Sequence, residues 1–277
     1  MIETGRFNEL EVVKILSFGA YLSEAGGTEE ILLPLKYIPE GTEIGSLLDV
    51  FIYNDNENRP VATTLKPFAQ VCEFALLTVK ETSELGAFLD WGIAKDLFVP
   101  FREQRMQMQE GKKYIVYIYI DESTGRITAS SKYAKFIDNK SATFSVGQEV
   151  ELIVSEHTDL GYKAIINNQY LGLIYNNEVF EKIYVGDIKR GYIKLLRDDG
   201  KIDLSLQKQG YAHVEDSKLL ILHYLKLNNG IIALGDKSSP EEIYKKLKIS
   251  KKAFKKTIGG LYKEAVIEIS DHEIKLK

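Results

Sequence analysis

Three stretches of the chain carry the same ordered series of signals, and an ordered repeat narrows the possible folds more than any single motif. The first stretch runs SFGAYL (17–22), EILLPL (30–35), Gly45, DVFIYND (49–55) and Arg59. The second runs ELGAFL (84–89), DLFVPF (96–101), Gly111, YIVYIYIDE (114–122) and Arg126. The third runs LGYKAII (160–166), LGLIYN (171–176), Gly186, GYIKLLRDD (191–199) and Lys201. The spacings agree: Gly19 to Pro34 is 15 residues and Gly86 to Pro100 is 14; Gly45 to Asp55 and Gly111 to Asp121 are both 10; Gly111 to Arg126 and Gly186 to Lys201 are both 15. A repeat of roughly 65–75 residues is too long for a solenoid unit and suits a self-contained small barrel.

Within each stretch the pattern is β. VFIY, YIVYIYI and YIKLL are rich in β-branched and aromatic residues. Turn signals separate them: Gly26-Gly27, NDNEN (54–58), STG (123–125) and DDG (198–200). Each second strand holds a glycine, which inside a strand marks a bulge or a bend. Five short strands with such a bend describe a five-stranded OB-type barrel, a fold that binds oligonucleotides on one face. The aromatics of YIVYIYI (114–120) alternate with aliphatics and are expected in the barrel wall.

These stretches resemble the S1 RNA-binding domain, a subclass of that barrel. Its first element, aromatic-Gly-small-aromatic, is matched in full by Phe18-Gly19-Ala20-Tyr21. Leu85-Gly86-Ala87-Phe88 keeps the second ring, and Gly161-Tyr162 matches in part. The last strand of the pattern corresponds to RPVAT (59–63), RITASS (126–131) and KIDLSL (201–206). The histidine position of the family falls on Leu33, Val99 and Tyr175, so only the third stretch keeps a ring there. Three S1-like units followed by a winged helix is similar to the conserved virulence factor B family of bacterial RNA-binding regulators. The resemblance implies barrels over 1–66, 67–139 and 140–209, a winged helix over 210–277, and single-stranded RNA as partner, with DNA as a second partner open to the winged helix.

An aromatic ring on a barrel surface can stack an unstacked base, worth ~1–3 kcal/mol. Phe18 and Tyr21 lie three apart and would point to opposite faces of a regular strand. A bulge at Gly19 is expected to bring them to one side. For Phe18, Tyr21, Phe88, Tyr162 and Tyr175 both readings stand, stacking surface or core. Arg59, Arg126 and Lys201 occupy one point of the repeat and are candidate phosphate contacts. Asp55 and Asp121 precede the arginines and could instead close the hairpin loop by pairing with them.

The last quarter changes period from two to 3.6 after Gln209. Ser217–Leu227 carries Leu219, Leu220, Leu222, His223 and Leu227 on a helical stripe. Ser238-Ser239-Pro240-Glu241-Glu242 is a helix start, and Ser250 opens another ahead of KKAFKKTIGGLYK. Short strands at 265–269 and 273–276 complete three helices and a hairpin, a winged helix. From Lys245 to Lys263 there are eight lysines and no acid, in a chain of net charge −4. Lys251, Lys252, Lys255 and Lys256 form two like-charge i,i+4 pairs, each unfavourable without a ligand. Lysines without arginines favour phosphate contact over base reading.

The remaining features concern what the chain is not. Its four histidines (157, 213, 223 and 272) have no metal-ligand spacing, and a single cysteine builds neither a disulfide nor a zinc site. Cys72 is expected as a buried, inert thiol at a strand start. No phosphate loop, dinucleotide fingerprint or nucleophile elbow is present. Asp198-Asp199 reads as turn chemistry. No run approaches ~20 apolar residues, and the polar N-terminus is no secretory signal. The expected protein is therefore cytoplasmic, cofactor-free and non-catalytic, a binder of single-stranded RNA. Two other classes stay open: a nuclease or modification enzyme, and a protein–protein adaptor with degenerate barrels.

Overall fold

The computed structural model describes residues 2–179, 181–207, 211–247 and 249–277. The chain divides into two compact units, residues 1–137 and 138–277, each with its own cores.

The first unit holds two barrels. In the first, β1 (Phe7–Leu16), β2 (Gly19–Ser23), β3 (Ile31–Pro34), β4 (Leu47–Asn54) and β5 (Pro60–Thr63) close in the order β1-β2-β3-β5-β4. In the second, β6 (Phe74–Thr82), β7 (Gly86–Leu89), β8 (Leu97–Pro100), β9 (Lys113–Ile120) and β10 (Ile127–Ser130) follow the same order, with β8 and β10 as the two ends of the sheet. One buried cluster runs across both, from Phe51 and Tyr53 of the first barrel to Trp91, Leu97 and Ile118 of the second. The Phe51 and Trp91 rings meet edge to face at 5.3 Å. The alternation holds only in part: Ile115, Val116 and Ile118 are buried, two of them in succession, while Ile120 is exposed. Tyr117 stacks at 4.3 Å on Phe136, outside the barrel core.

The second unit begins with a closed barrel of β11 (Glu149–Thr158), β12 (Gly161–Ile166), β13 (Tyr170–Tyr175), β14 (Ile188–Leu196) and β15 (Ile202–Ser205), again in the order 1-2-3-5-4. Then come α1 (Tyr211–Leu227), β16 (Ile231–Ile232), α2 (Pro240–Leu247), α3 (Lys251–Lys263), β17 (Ile267–Ile269) and β18 (Ile274–Leu276). The last three strands pair as β16-β18-β17 against the helices, completing a winged helix. The helix starts are as expected: Ser239 and Glu242 exchange hydrogen bonds in a capping box, and Ser250 Oγ accepts from the Ala253 N–H.

The bulge sits elsewhere than expected. In all three barrels the register slips in the first strand, at Val13, Lys80 and Ser155, six residues before Gly19, Gly86 and Gly161. Gly19 is instead in regular pairing, opposite both Leu16 and Pro34. Its role is close approach: a Cβ on Gly19, Gly86 or Gly161 would lie 2.5, 2.3 or 2.0 Å from the carbonyl oxygen of Leu33, Val99 or Ile174. Gly45, Gly111 and Gly186 have φ of +89°, +74° and +95°. Their N–H groups donate to the carbonyls of Val12, Val79 and Val154, each immediately before the bulge.

Other corrections follow the same physics. Pro34, Pro100 and Tyr175 are the residues opposite the three glycines, while Leu33 and Val99, matched to the family histidine in the first two stretches, point inward and are fully buried. Cys72 is exposed, in a turn two residues ahead of β6 with φ +66°. On α1 Ile221 and Leu225 are buried and Leu220 and Leu222 pack beside them, while Leu219 and Leu227 face out. The change of period placed at Gln209 lies outside the described residues, as does the side chain of His213.

Gly19→Ala should lower stability by about 1–3 kcal/mol, as overpacking does, whereas Gly259→Ala, in open space within α3, should raise it by up to ~1 kcal/mol. Denaturant melts of both variants check this; an unchanged midpoint for Gly19→Ala would mean that β3 yields to the methyl group.

Candidate nucleic-acid interface

Because the three barrels share one register, their candidate faces can be compared position by position. The residue two beyond each glycine points away from the core: Tyr21, Phe88 and Lys163. Across the strand pair they face Lys14, Glu81 and Glu156. The same geometry thus carries a cation beside a ring in the first barrel and an acid beside a ring in the second. In the third it carries a closed ion pair, Lys163 to Glu156 at 2.9 Å.

In the first barrel Phe18 lies in the β1–β2 turn, 53% exposed, with its ring 6.4 Å from that of Tyr21 and perpendicular to it. The two rings therefore do meet on one side, brought together by the turn. Lys14 places its ammonium 5.5 Å from the centre of the Tyr21 ring. Lys14 was missed by the sequence reasoning; its cross-strand position is set by the bulge at Val13, which no composition signal marks. In the second barrel Phe88 packs against Phe98 at 5.1 Å. In the third, Tyr162 takes the position of Ala20 and Ala87, packs toward the core and lies against His157 at 4.5 Å.

The basic position before each last strand is kept in place and not in pairing. The carbonyls of Arg59, Arg126 and Lys201 accept from the N–H groups of Asp55, Asp121 and Arg197, so these last three are equivalent. Asp55 holds the Arg59 guanidinium, with Nε at 2.9 Å and Nη2 at 2.7 Å from Oδ2, and Glu57 takes its other end at 2.7 Å. Asp121 ignores Arg126. It is buried, binds the Ser123 hydroxyl and accepts from Arg102 at 2.6 Å. In the third barrel an arginine replaces the aspartate: Arg197 reaches Asp203 at 3.0 Å and also the Tyr175 hydroxyl. Its neighbour Lys201 pairs with Asp199 at 2.7 Å. Tyr175, Arg197, Lys201 and Asp203 border a cavity of about 560 Å³.

On the winged helix, Lys252, Lys255 and Lys256 are exposed on α3 and Lys251 is half-buried. Lys255 is not bare: Asp236, from the loop before α2, lies 3.0 Å from its ammonium. Among the described residues no group of three or more His, Cys, Asp or Glu side chains could hold a metal. None of the described helices is long and apolar enough to cross a membrane.

Residues 4–65 match the family model of the S1 domain, and residues 220–276 that of the CvfB-like winged helix domain. The chain is similar to the conserved virulence factor B proteins. It is 24% identical to conserved virulence factor B of Staphylococcus aureus, over 98% of this chain and 93% of that one. It is 27% identical to the uncharacterized protein YitL of Bacillus subtilis, over 90% of this chain and 86% of that one. A solved multidomain protein with nucleic acid binding domains from Streptococcus pneumoniae aligns over 99% of this chain and 98% of its own, at 22% identity and a TM-score of 0.42. The S1 and winged-helix domains point to nucleic-acid binding, and both are domain types that bind rather than catalyse.

The Arg59 backbone N–H, followed by its guanidinium, holds the Asp55 carboxyl below the usual carboxylate range. A depressed carboxyl contributes stability that is present above its unfolded value of ~3.9 and is lost as pH falls through the folded value. An NMR titration should therefore place the Asp55 midpoint below that of free aspartate. Arg59→Gln should move it part-way back, since the backbone N–H remains; a midpoint at the ordinary value in the unsubstituted protein would show that the loop is not closed by this pair.

Proposed function

We propose that the chain is a non-catalytic RNA-binding protein that acts on RNA fate or translation in the cytoplasm. Single-stranded RNA is bound by stacking on the barrels and by lysine–phosphate contacts on α3. The domain limits that fit this reading are 1–66, 67–139, 140–209 and 210–277. The observation that carries it is the face of the first barrel: Phe18 exposed at 53%, Tyr21 against it, and Lys14 over the Tyr21 ring. A buried ring would have favoured the core reading; this one leaves much of its surface in water, where a base can cover it. The face belongs to the segment that matches the S1 domain.

The lysines of α3 add a sequence-independent component, because lysine contacts to phosphate position a strand without reading it. Asp236 competes for Lys255, so that lysine reaches a phosphate only by giving up its carboxylate. DNA is a second partner for this helix, through the same phosphate chemistry.

Phe18→Ala and Tyr21→Ala should each weaken single-stranded RNA binding by ~1–3 kcal/mol with the fold intact. Normal binding by both folded variants would remove the first barrel from the interface. Replacing Lys251, Lys252, Lys255 and Lys256 by Gln should flatten the salt dependence of affinity, by up to ~0.7 in log–log slope for each phosphate that is no longer neutralised. Affinity measured across a salt series checks this, and an unchanged slope would mean that α3 is merely solvated.

A further inference from the structure

Of the three equivalent basic residues, Arg59 is held by two carboxylates and Lys201 by one. Arg126 is exposed and makes no side-chain ion pair or hydrogen bond among the described residues, because Asp121 has turned to Arg102. This unpaired guanidinium stands at a cavity of about 250 Å³ within the first unit. The second barrel supplies one side of that cavity with Phe88, Phe98 and Trp91, and Leu85 adds to it, 74% exposed. The first barrel supplies the other side, with Asn54 at the end of β4 and Asn56 of the β4–β5 loop.

That loop is fastened in place. Lys95, between β7 and β8, donates its ammonium to the carbonyls of Asn54 at 2.7 Å and Asp55 at 2.8 Å. Burial lowers the Lys95 pKa, and the charge of Arg126 lowers it further, as expected of two cations held close together. Of the acids nearby, Asp96 is engaged by Lys80 at 2.7 Å and Asp55 by Arg59, while Glu81 stands opposite Phe88 in the strand pair. The cavity wall itself carries two cations, Lys95 and Arg126, and one acid, Asp96, that is already paired. The side-chain oxygen of Asn54 is buried there without a hydrogen-bond partner, an unmet acceptor that is costly to leave so.

We propose that this cavity between the first two barrels is a second site, taking one nucleotide of a single strand with its base against Phe88 and Phe98 and its phosphate on Arg126. The proposal rests on the nucleic-acid-binding reading above and extends it from an open stacking face to a walled pocket. At about 250 Å³ the cavity lies below the ~300–1,000 Å³ of sites that enclose a whole small ligand, which suits a base inside with sugar and phosphate at the mouth. Such a pocket admits a base turned out of the strand or one at its end. Lys95 is a positioning residue here, since it holds the far wall and its ammonium is directed to carbonyls.

The test uses the full chain and fluorescein-labelled uridine and thymidine decamers. Arg126→Gln should weaken binding of either decamer about tenfold, the order of one charge-assisted contact. Asn56→Glu, a change on an exposed loop that brings a carboxylate to the pocket wall, should weaken it comparably, while Lys113→Gln on β9, a matched loss of charge away from the cavity, should not. Trp91 is the single tryptophan of the chain and lines the cavity. Its emission should change when unlabelled decamer binds, and the change should vanish in Arg126→Gln. Full affinity in both Arg126→Gln and Asn56→Glu, with the decamer still bound, would overturn the pocket and leave the stacking face standing. An intact chain that binds neither decamer would overturn both.

Discussion

In each barrel one strand crosses another so closely that no side chain fits between them. Gly19, Gly86 and Gly161 bring the second strand within reach of the third, where any Cβ would strike the carbonyl of Leu33, Val99 or Ile174. The approach is matched by a bulge six residues upstream, at Val13, Lys80 and Ser155, and the carbonyl ahead of that bulge is satisfied by Gly45, Gly111 or Gly186. Bulges increase local twist and bend the strand, and a short five-stranded sheet needs that bend to curl into a barrel. The same device fixes the outer face. Without the bulge at Val13, Lys14 would change faces, because side-chain direction alternates with every residue. It would then no longer stand opposite Tyr21.

On this shared frame the three faces have diverged in chemistry, and the divergence lies mostly in who pairs with whom. The aspartate after the fourth strand closes on its own loop in the first barrel, turns to Arg102 in the second, and is replaced by Arg197 in the third. Each choice sets the state of the basic residue that follows. A guanidinium chelated by two carboxylates can meet phosphate only by giving up both bonds. A free one gives up only its hydration. The ion pairs of exposed groups are individually weak, so their consequence here is for availability more than for stability.

Much of this was legible in the sequence. The repeat, the switch of period and the serine caps of α2 and α3 are local patterns with local causes, and they pointed to barrels followed by a winged helix. What escaped was set by long-range pairing. The β14 strand carries its own register shift between Ile193 and Leu195. Gly186 therefore lies 11 residues from Arg197, where the other two blocks have 10, and the equivalence of Arg197 with Asp55 and Asp121 was hidden by that one residue. The two-residue strand β16 is too short to show a period. The stripe on α1 was right at Leu220 and Leu222, which pack on the core, and wrong at Leu219 and Leu227; the helix is apolar on several sides, Leu219 and Leu227 satisfy the spacing as well as Ile221 and Leu225, and only packing separates them. Phe98, Lys95 and Lys14 gain their significance from partners 7 to 41 residues away, across a strand pair or a loop. No window of sequence displays that.

A net charge of −4 sets this chain, as a whole, against a polyanion. Net charge, however, is a property of the far field, and beyond a Debye length of ~8–10 Å it is largely screened. Within that distance the local arrangement decides. Several acids of the barrels are neutralised in place: Asp55 by Arg59, Asp96 by Lys80, Glu103 by Lys135, Glu156 by Lys163 and Asp203 by Arg197. Each pair removes a repulsive centre from the surface along with an attractive one. The electrostatic character of a face is then set by the few charges that no opposite charge cancels, and among the residues lining the cavity between the first two barrels those are Lys95 and Arg126. An acidic protein can in this way present cationic sites that are small and spatially defined. Such sites hold a strand at chosen points and do not coat it, which is what stacking one base at a time requires.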